Sequence, residues 1–165
     1  MGLHTGYIVA TATQSALLDE LSRHAGEFTL GEEVGRAEDA ELDVGQLDML
    51  IGELDGRAFL IDGPMVLSGH PDMIVAMSAR LGTVLGCGAE TVSGSYWLTA
   101  ARDEKLLRYI FVSYAGMTRG MAVGDPLPFD DAMRQPPAGR AMSSGLDRSQ
   151  GAQSIMGWIR RLAAP

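Results

Sequence analysis

Apolar positions along the chain change spacing several times, and each change marks an element. Tyr7-Ile8-Val9-Ala10-Thr11 is a short β-prone run and predicts a first strand. Thr13 is placed to cap a helix in which Leu17, Leu18, Leu21 and Ala25 recur at helical spacing, with Gly26 as its stop. Glu27 to Asp43 has weak periodicity and reads as loop with some strand. A second helix is expected from Asp43, whose carboxylate can cap it and which has Gln46 three residues on. Val44, Leu47, Leu50, Ile51 and Leu54 then form one face, and Asp55-Gly56 ends it. Gly45 and Gly52 weaken such a helix by about 1 kcal/mol each, so it depends on packing.

Ala58-Phe59-Leu60-Ile61 and Met65-Val66-Leu67 flank Asp62-Gly63-Pro64, a pattern that predicts a hairpin or two successive strands. Pro71 suits the first turn of a helix carrying Ile74, Met77 and Leu81 and ending at Gly82. A strand follows near Thr83-Val84-Leu85. Next comes a meander: Ser95 to Ala101, a polar turn at Arg102-Asp103-Glu104-Lys105, Leu106 to Tyr114, a turn at Gly116, and Met117 to Val123. Period-2 alternation sets Trp97 and Thr99 against Tyr96 and Leu98, and Tyr109 and Phe111 against Arg108, Ile110 and Val112. Both faces are largely apolar, so helices should cover part of them. Asp125-Pro126-Leu127-Pro128 breaks the pattern, and residues 135–151 read as an extended loop. The chain closes with a predicted amphipathic helix over 152–163, with Ile155, Trp158, Ile159 and Leu162 on one stripe.

These elements add up to an α+β fold: one domain over residues 1–165, with a mainly antiparallel sheet of about five or six strands and three or four packing helices. The length of 165 residues suits that reading. The chain has no apolar run long enough to span a bilayer, and its start lacks the basic and apolar regions of a signal peptide. The expectation is a cytoplasmic protein that binds neither membrane nor nucleic acid.

Charge sharpens the picture. The net charge is −8, and the excess is confined to one stretch. Between Glu27 and Asp55 there are ten acidic residues and one base, Arg36, while the rest of the chain is nearly balanced. A concentrated acidic surface repels nucleic acid and speeds association with basic proteins. A solvated face kept for solubility is the plainer alternative.

Candidate chemistry is sparse. Cys87 is the sole cysteine, which excludes an intrachain disulfide and a multi-cysteine zinc site. A nucleophilic role for Cys87 needs a base, and His70 with Asp72 nearby is the arrangement to test against a small buried cysteine in a strand. Gly82, Gly86 and Gly88 have the wrong spacing for a dinucleotide fingerprint, and no Gly-Lys-Ser/Thr follows them. His4, His24 and His70 are too scattered for a two-histidine metal motif on one helix. Neither a cofactor nor a metal is expected. Tyr96, Trp97, Tyr109, Phe111 and Tyr114 could stack on bases, but few basic residues accompany them.

Three short runs carry a resemblance: Ser93-Gly94-Ser95-Tyr96-Trp97, then Leu107-Arg108-Tyr109, then Gly124-Asp125-Pro126-Leu127-Pro128. Together they resemble a pattern in small bacterial α+β proteins of uncharacterised role, some of them similar to immunity proteins that neutralise a neighbouring toxin. That resemblance implies the fold class, through turn residues and not catalytic ones. The functional expectation is a non-enzymatic binding module, an inhibitor or immunity-like protein. Glu32, Glu33, Glu38, Asp39, Glu41 and Asp43 would meet a basic partner, either a toxin or a regulated protein. The alternatives are a small enzyme using Cys87 as nucleophile and His70 as base, and a structural subunit forming a homo-oligomer through its C-terminal helix.

Overall fold

The computed structural model describes residues 4–33, 48–113 and 120–127. The chain divides into two units, Met1–Asp125 and Pro126–Pro165, and every element named below belongs to the first. In chain order these are β1 (His4–Ala10), α1 (Gln14–Ala25), β2 (Leu50–Leu54), β3 (Arg57–Asp62), α2 (Pro71–Leu81), β4 (Thr83–Glu90), β5 (Ser95–Arg102), β6 (Lys105–Ser113) and β7 (Met121–Val123). The strands form one antiparallel sheet in the order β2-β3-β1-β4-β5-β6-β7. The expected α+β class holds. The described residues carry seven strands and two helices, more strands and fewer helices than expected.

β1 lies between β3 and β4 and runs antiparallel to both, so β3 and β4 are parallel and α2 crosses over β1 to join them. This crossover explains why β1 is so apolar: Ile8 and Ala10 have no exposure beneath it beyond 1%. Both helices pack on the same face of the sheet. Leu17 and Leu21 of α1, and Ile74, Met77 and Leu81 of α2, close over Ile8, Ala10, Ala58, Leu60, Val84 and Ala101. Fully burying each large aliphatic side chain of this cluster contributes about 1.5–3 kcal/mol before ordering costs.

Two of the four predicted helices form as expected. Thr13 Oγ1 accepts from the Ala16 N–H, and Gly26 closes α1 with φ +96°. Pro71 opens α2, and Gly82 ends it with φ +74°. α1 is fixed to α2 by Glu20, a buried carboxylate held by Arg23 at 3.0 Å, His24 at 3.2 Å and Arg80 at 3.8 Å.

Two expectations are overturned. Leu50 to Leu54 is a strand, not the end of a helix begun at Asp43; positions 43–47 of that helix lie outside the described residues. The decisive residues are Asp55 and Gly56, both at positive φ (53° and 69°), which make a two-residue hairpin turn. A nearly continuous apolar run fits both periods, and the turn selects the strand. Gly52 fits the strand because the Phe59 ring lies directly over its Cα, where a side chain would collide.

Met65 to Leu67 is likewise not a strand. Asp62 folds this segment back on itself: its carboxylate accepts from the N–H groups of Val66 (3.1 Å), Leu67 (2.9 Å) and Ser68 (2.7 Å). Its own carbonyl accepts from Met65 N–H, and Met65 takes φ 57°. The folded loop rests on the sheet over Gly6 and Gly86, where a Cβ on either would strike Ser68 or Ile74.

The meander forms as expected, with Asp103 and Glu104 at positive φ in a tight turn and β6 ending at Ser113. The last strand is shorter than expected, Met121–Val123, with residues 114–119 outside the described set. The loop expected at 135–151 and the helix expected at 152–163 also lie outside it.

Replacing Asp62 with Ala leaves the N–H groups of Val66, Leu67 and Ser68 without their acceptor, in a place where Leu67 and Ser68 are buried. The expected destabilisation is about 3 kcal/mol, read from the urea unfolding midpoint. A loss below about 0.5 kcal/mol would show that the loop does not depend on this carboxylate.

Candidate functional site

Each residue singled out in the sequence now has a place in the fold or falls outside the described residues. Cys87 sits in mid-β4, opposite Tyr7 on β1 and Leu98 on β5. Its neighbours Gly86 and Gly88 face the helices, since a Cβ on them would meet Ile74 and the Trp97 ring. Alternation therefore turns Cys87 to the other face, with Leu85, Ala89 and Leu98. His70 caps α2 on the helix-bearing side. The sheet separates thiol from imidazole, so the two cannot act as a nucleophile–base pair. Burial among apolar neighbours also pushes the Cys87 thiol up to about 12, although the residue as a whole keeps some exposure.

The histidines and acids around the helices border a depression of about 500 Å³ between the end of α1 and the start of α2. His24, Val66, Leu67, His70, Asp72 and Met73 line it. His24 is committed to Glu20 at 3.2 Å. Among the described residues, no group of three His, Cys, Asp or Glu side chains is placed to hold a metal ion.

Aromatic residues lie in rows across the last strands. Trp97, Phe111 and Met121 stand opposite one another on β5, β6 and β7, as do Thr99, Tyr109 and Val123. Two of the nearest basic residues, Arg108 and Arg102, are engaged elsewhere. Arg108 points to the opposite face from Tyr109 and Phe111, is buried, and donates to the carbonyls of Val123 and Gly124. Arg102 donates to Thr83 Oγ1 at 2.7 Å. Among the described residues no basic stripe runs beside the rings, which is what stacking on single-stranded nucleic acid requires.

The acidic residues fall into two groups by environment. Some hold the fold together. Glu20 joins the helices, Asp62 ties its loop, and Glu53 accepts from Gln14 N–H at 2.9 Å at the start of α1. Glu90 accepts from the N–H groups of Val92 and Ser93 in the β4–β5 turn and lies 3.4 Å from His4. Others are free. Glu27, Glu32 and Glu33 are exposed and form no hydrogen bond or ion pair among the described residues. Phe28 packs on the core cluster and anchors the start of this segment, while Leu30 is exposed. Glu38, Asp39, Glu41 and Asp43 lie outside the described residues. No described helix is long and apolar enough to cross a membrane.

Comparisons of the chain with protein-family models, with curated proteins and with solved structures each find no match. The functional reading therefore stands on the arrangement of the residues themselves.

Sequence reasoning did not single out Asp62 or Glu90, which organise two turns. Their signals were present in Asp62-Gly63-Pro64 and in the Ser93-Gly94 pair, as turn residues next to a carboxylate.

Two titrations follow. In the folded protein at pH 8, alkylation of Cys87 by iodoacetamide should be slower than that of an unfolded control by about a thousandfold, because so little thiolate is present. Fast alkylation under native conditions would contradict the buried thiol. The preference for the neutral thiol stabilises the fold fully below the unfolded thiol value of about 8.5, and is lost as pH rises toward 12. Glu90 has the opposite sign. Hydrogen bonding from the Ser93 side chain holds its carboxyl below the usual value; desolvation opposes this, and the Ser93 and Val92 N–H groups and His4 add to it. Its contribution is present above an unfolded value of about 4.3 and is lost as pH falls through the lowered one. Hydrogen exchange at Val92 and Ser93 should accelerate over that acid window, and Glu90→Gln should remove this dependence.

Proposed function

We propose that this chain is a non-enzymatic protein-binding module that meets a basic protein through its acidic stretch, in the manner of an inhibitor or immunity-type protein of the cytoplasm. The supporting observation is the division among its acids. Glu20, Glu53, Asp62 and Glu90 are used by the fold, whereas Glu27, Glu32 and Glu33 are exposed and serve no described contact. Like charges held together in solvent oppose the compact state slightly and repay nothing to it. They are suited to steering and orienting a partner of opposite sign. The segment from Glu27 to Asp55 carries this charge with Arg36 as its one base, so it presents a single sign. The same reading assigns Glu38, Asp39, Glu41 and Asp43, which lie outside the described residues, to the contact with the partner. The placement of Cys87 and His70 on opposite sides of the sheet gives the cysteine-enzyme alternative no support.

Affinity capture from the native lysate at low and high salt, read by mass spectrometry, identifies the partner. A basic protein retained at low salt and shed at high salt is the expected result. Reversing Glu32 and Glu33 to Lys should then weaken binding by about tenfold and flatten its salt dependence, while the unfolding midpoint stays within about 0.5 kcal/mol. Unchanged affinity for the captured partner would sink the acidic-surface reading.

A further inference from the structure

The acidic stretch runs through β2 to Asp55, and among the described residues β2 is the terminal strand of the sheet. Its hairpin register fixes which backbone groups face outward. Leu54 and Arg57 close the two-residue turn, and the closing pair of such a hairpin exchanges hydrogen bonds. Alternation then makes Gly52–Phe59 and Leu50–Ile61 bonded pairs, while Glu53–Ala58 and Ile51–Leu60 are non-bonded pairs. Residues of non-bonded pairs direct their N–H and C=O groups away from the partner strand. On the β3 side this is visible directly: Ala58 N–H points away from β2 and donates to Ala12 O at 2.8 Å. On the β2 side, Ile51 and Glu53 therefore aim their main-chain donors and acceptors at the open edge, where they have no partner among the described residues.

Exposed edges are usually blunted by proline, lysine or a bulge. β2 has none of these; its sequence is Leu50-Ile51-Gly52-Glu53-Leu54, in regular register with β3 throughout. The opposite edge, β7, is only three residues long and offers a shorter template. We propose that the outer edge of β2 is a docking site at which a basic, extended segment of the partner adds as a further strand. This proposal rests on the acidic-surface reading above and names how the partner is held.

Charge decides the occupant. From Asp48 to Asp55 the strand and its flanks carry Asp48, Glu53 and Asp55 and no base. A second copy pairing β2 with β2 would bring two such sets together, and like charges across a strand pair are destabilising. A segment rich in Lys or Arg meets the same groups favourably. Main-chain hydrogen bonds to Ile51 and Glu53 supply the attachment, and alternate side chains supply the selection. Leu50 and half-exposed Leu54 lie on one face of β2, and Ile51 and Glu53 on the other. The matching segment alternates apolar and basic residues.

The test uses the full chain and a capped peptide of alternating Arg and Val, about eight residues long. Amide hydrogen exchange is followed by NMR. In the free protein, Ile51 and Glu53 should exchange faster than Gly52 and Leu54. On adding peptide, their exchange should slow by about tenfold or more, in a salt-sensitive way. The same peptide with N-methylated alternate amides should bind more weakly and leave these amides unprotected. A peptide that binds and loses affinity with the Glu32 and Glu33 reversals, yet leaves Ile51 and Glu53 unchanged, overturns strand addition and leaves the acidic-surface reading standing. No binding of the basic peptide overturns both. Protection of these amides before any peptide is added shows a closed edge and overturns the proposal.

Discussion

The close approach of the 63–70 loop to the sheet is the constraint on which the rest of the structure depends. That loop joins β3 to α2, and its position decides where α2 begins its crossing of β1. Two conditions make the approach possible. Asp62 collects three consecutive main-chain N–H groups, which lets the loop lie buried without stranding them. Gly6 and Gly86 leave the sheet bare beneath it, so Ser68 and Ile74 can settle where side chains would otherwise stand. Gly88 extends the bare strip under the Trp97 ring. The glycines near Cys87 are therefore a packing surface, which accounts for their failing to match any phosphate-binding spacing.

Once α2 is seated, the other relations follow. Ile74 and Met77 complete the cluster over β1. Ser78 Oγ accepts from Glu104 N–H at 2.9 Å, which ties the β5–β6 turn to the helix. Arg80 reaches Glu20 and links α2 to α1. The same arrangement decides the chemistry. By filling the helix-bearing face with Gly86 and Gly88 it turns Cys87 to the other side, away from His70 and into an environment where a thiolate is disfavoured. A fold that spends its buried carboxylates on turns and helix pairing leaves its surplus acids on the outside. The acidic-surface proposal draws on that surplus for long-range attraction, and the proposed strand addition at β2 adds local attachment through main-chain groups.

Much of this was legible in the sequence because it is local. Thr13 and Gly26 bound α1, Pro71 and Gly82 bound α2, and the alternation from Ser95 to Val112 fixes the faces of the meander through nearest neighbours alone. The charge asymmetry of residues 27–55 is a property of composition and needs no structure. Tertiary structure decided the rest. Leu50 to Leu54 satisfies helical and strand spacing almost equally, and only pairing with β3 through the Asp55-Gly56 turn chooses between them. Asp62 looks like an ordinary turn residue until the loop closes onto its carboxylate. The insertion of β1 between β3 and β4 joins residues as far apart as Ala10 and Ala58, or His4 and Glu90, and no local pattern records it. Periodicity specifies which face of an element is apolar. Which partner buries that face depends on long-range pairing and on where glycines let backbones approach, and those are properties of the folded chain.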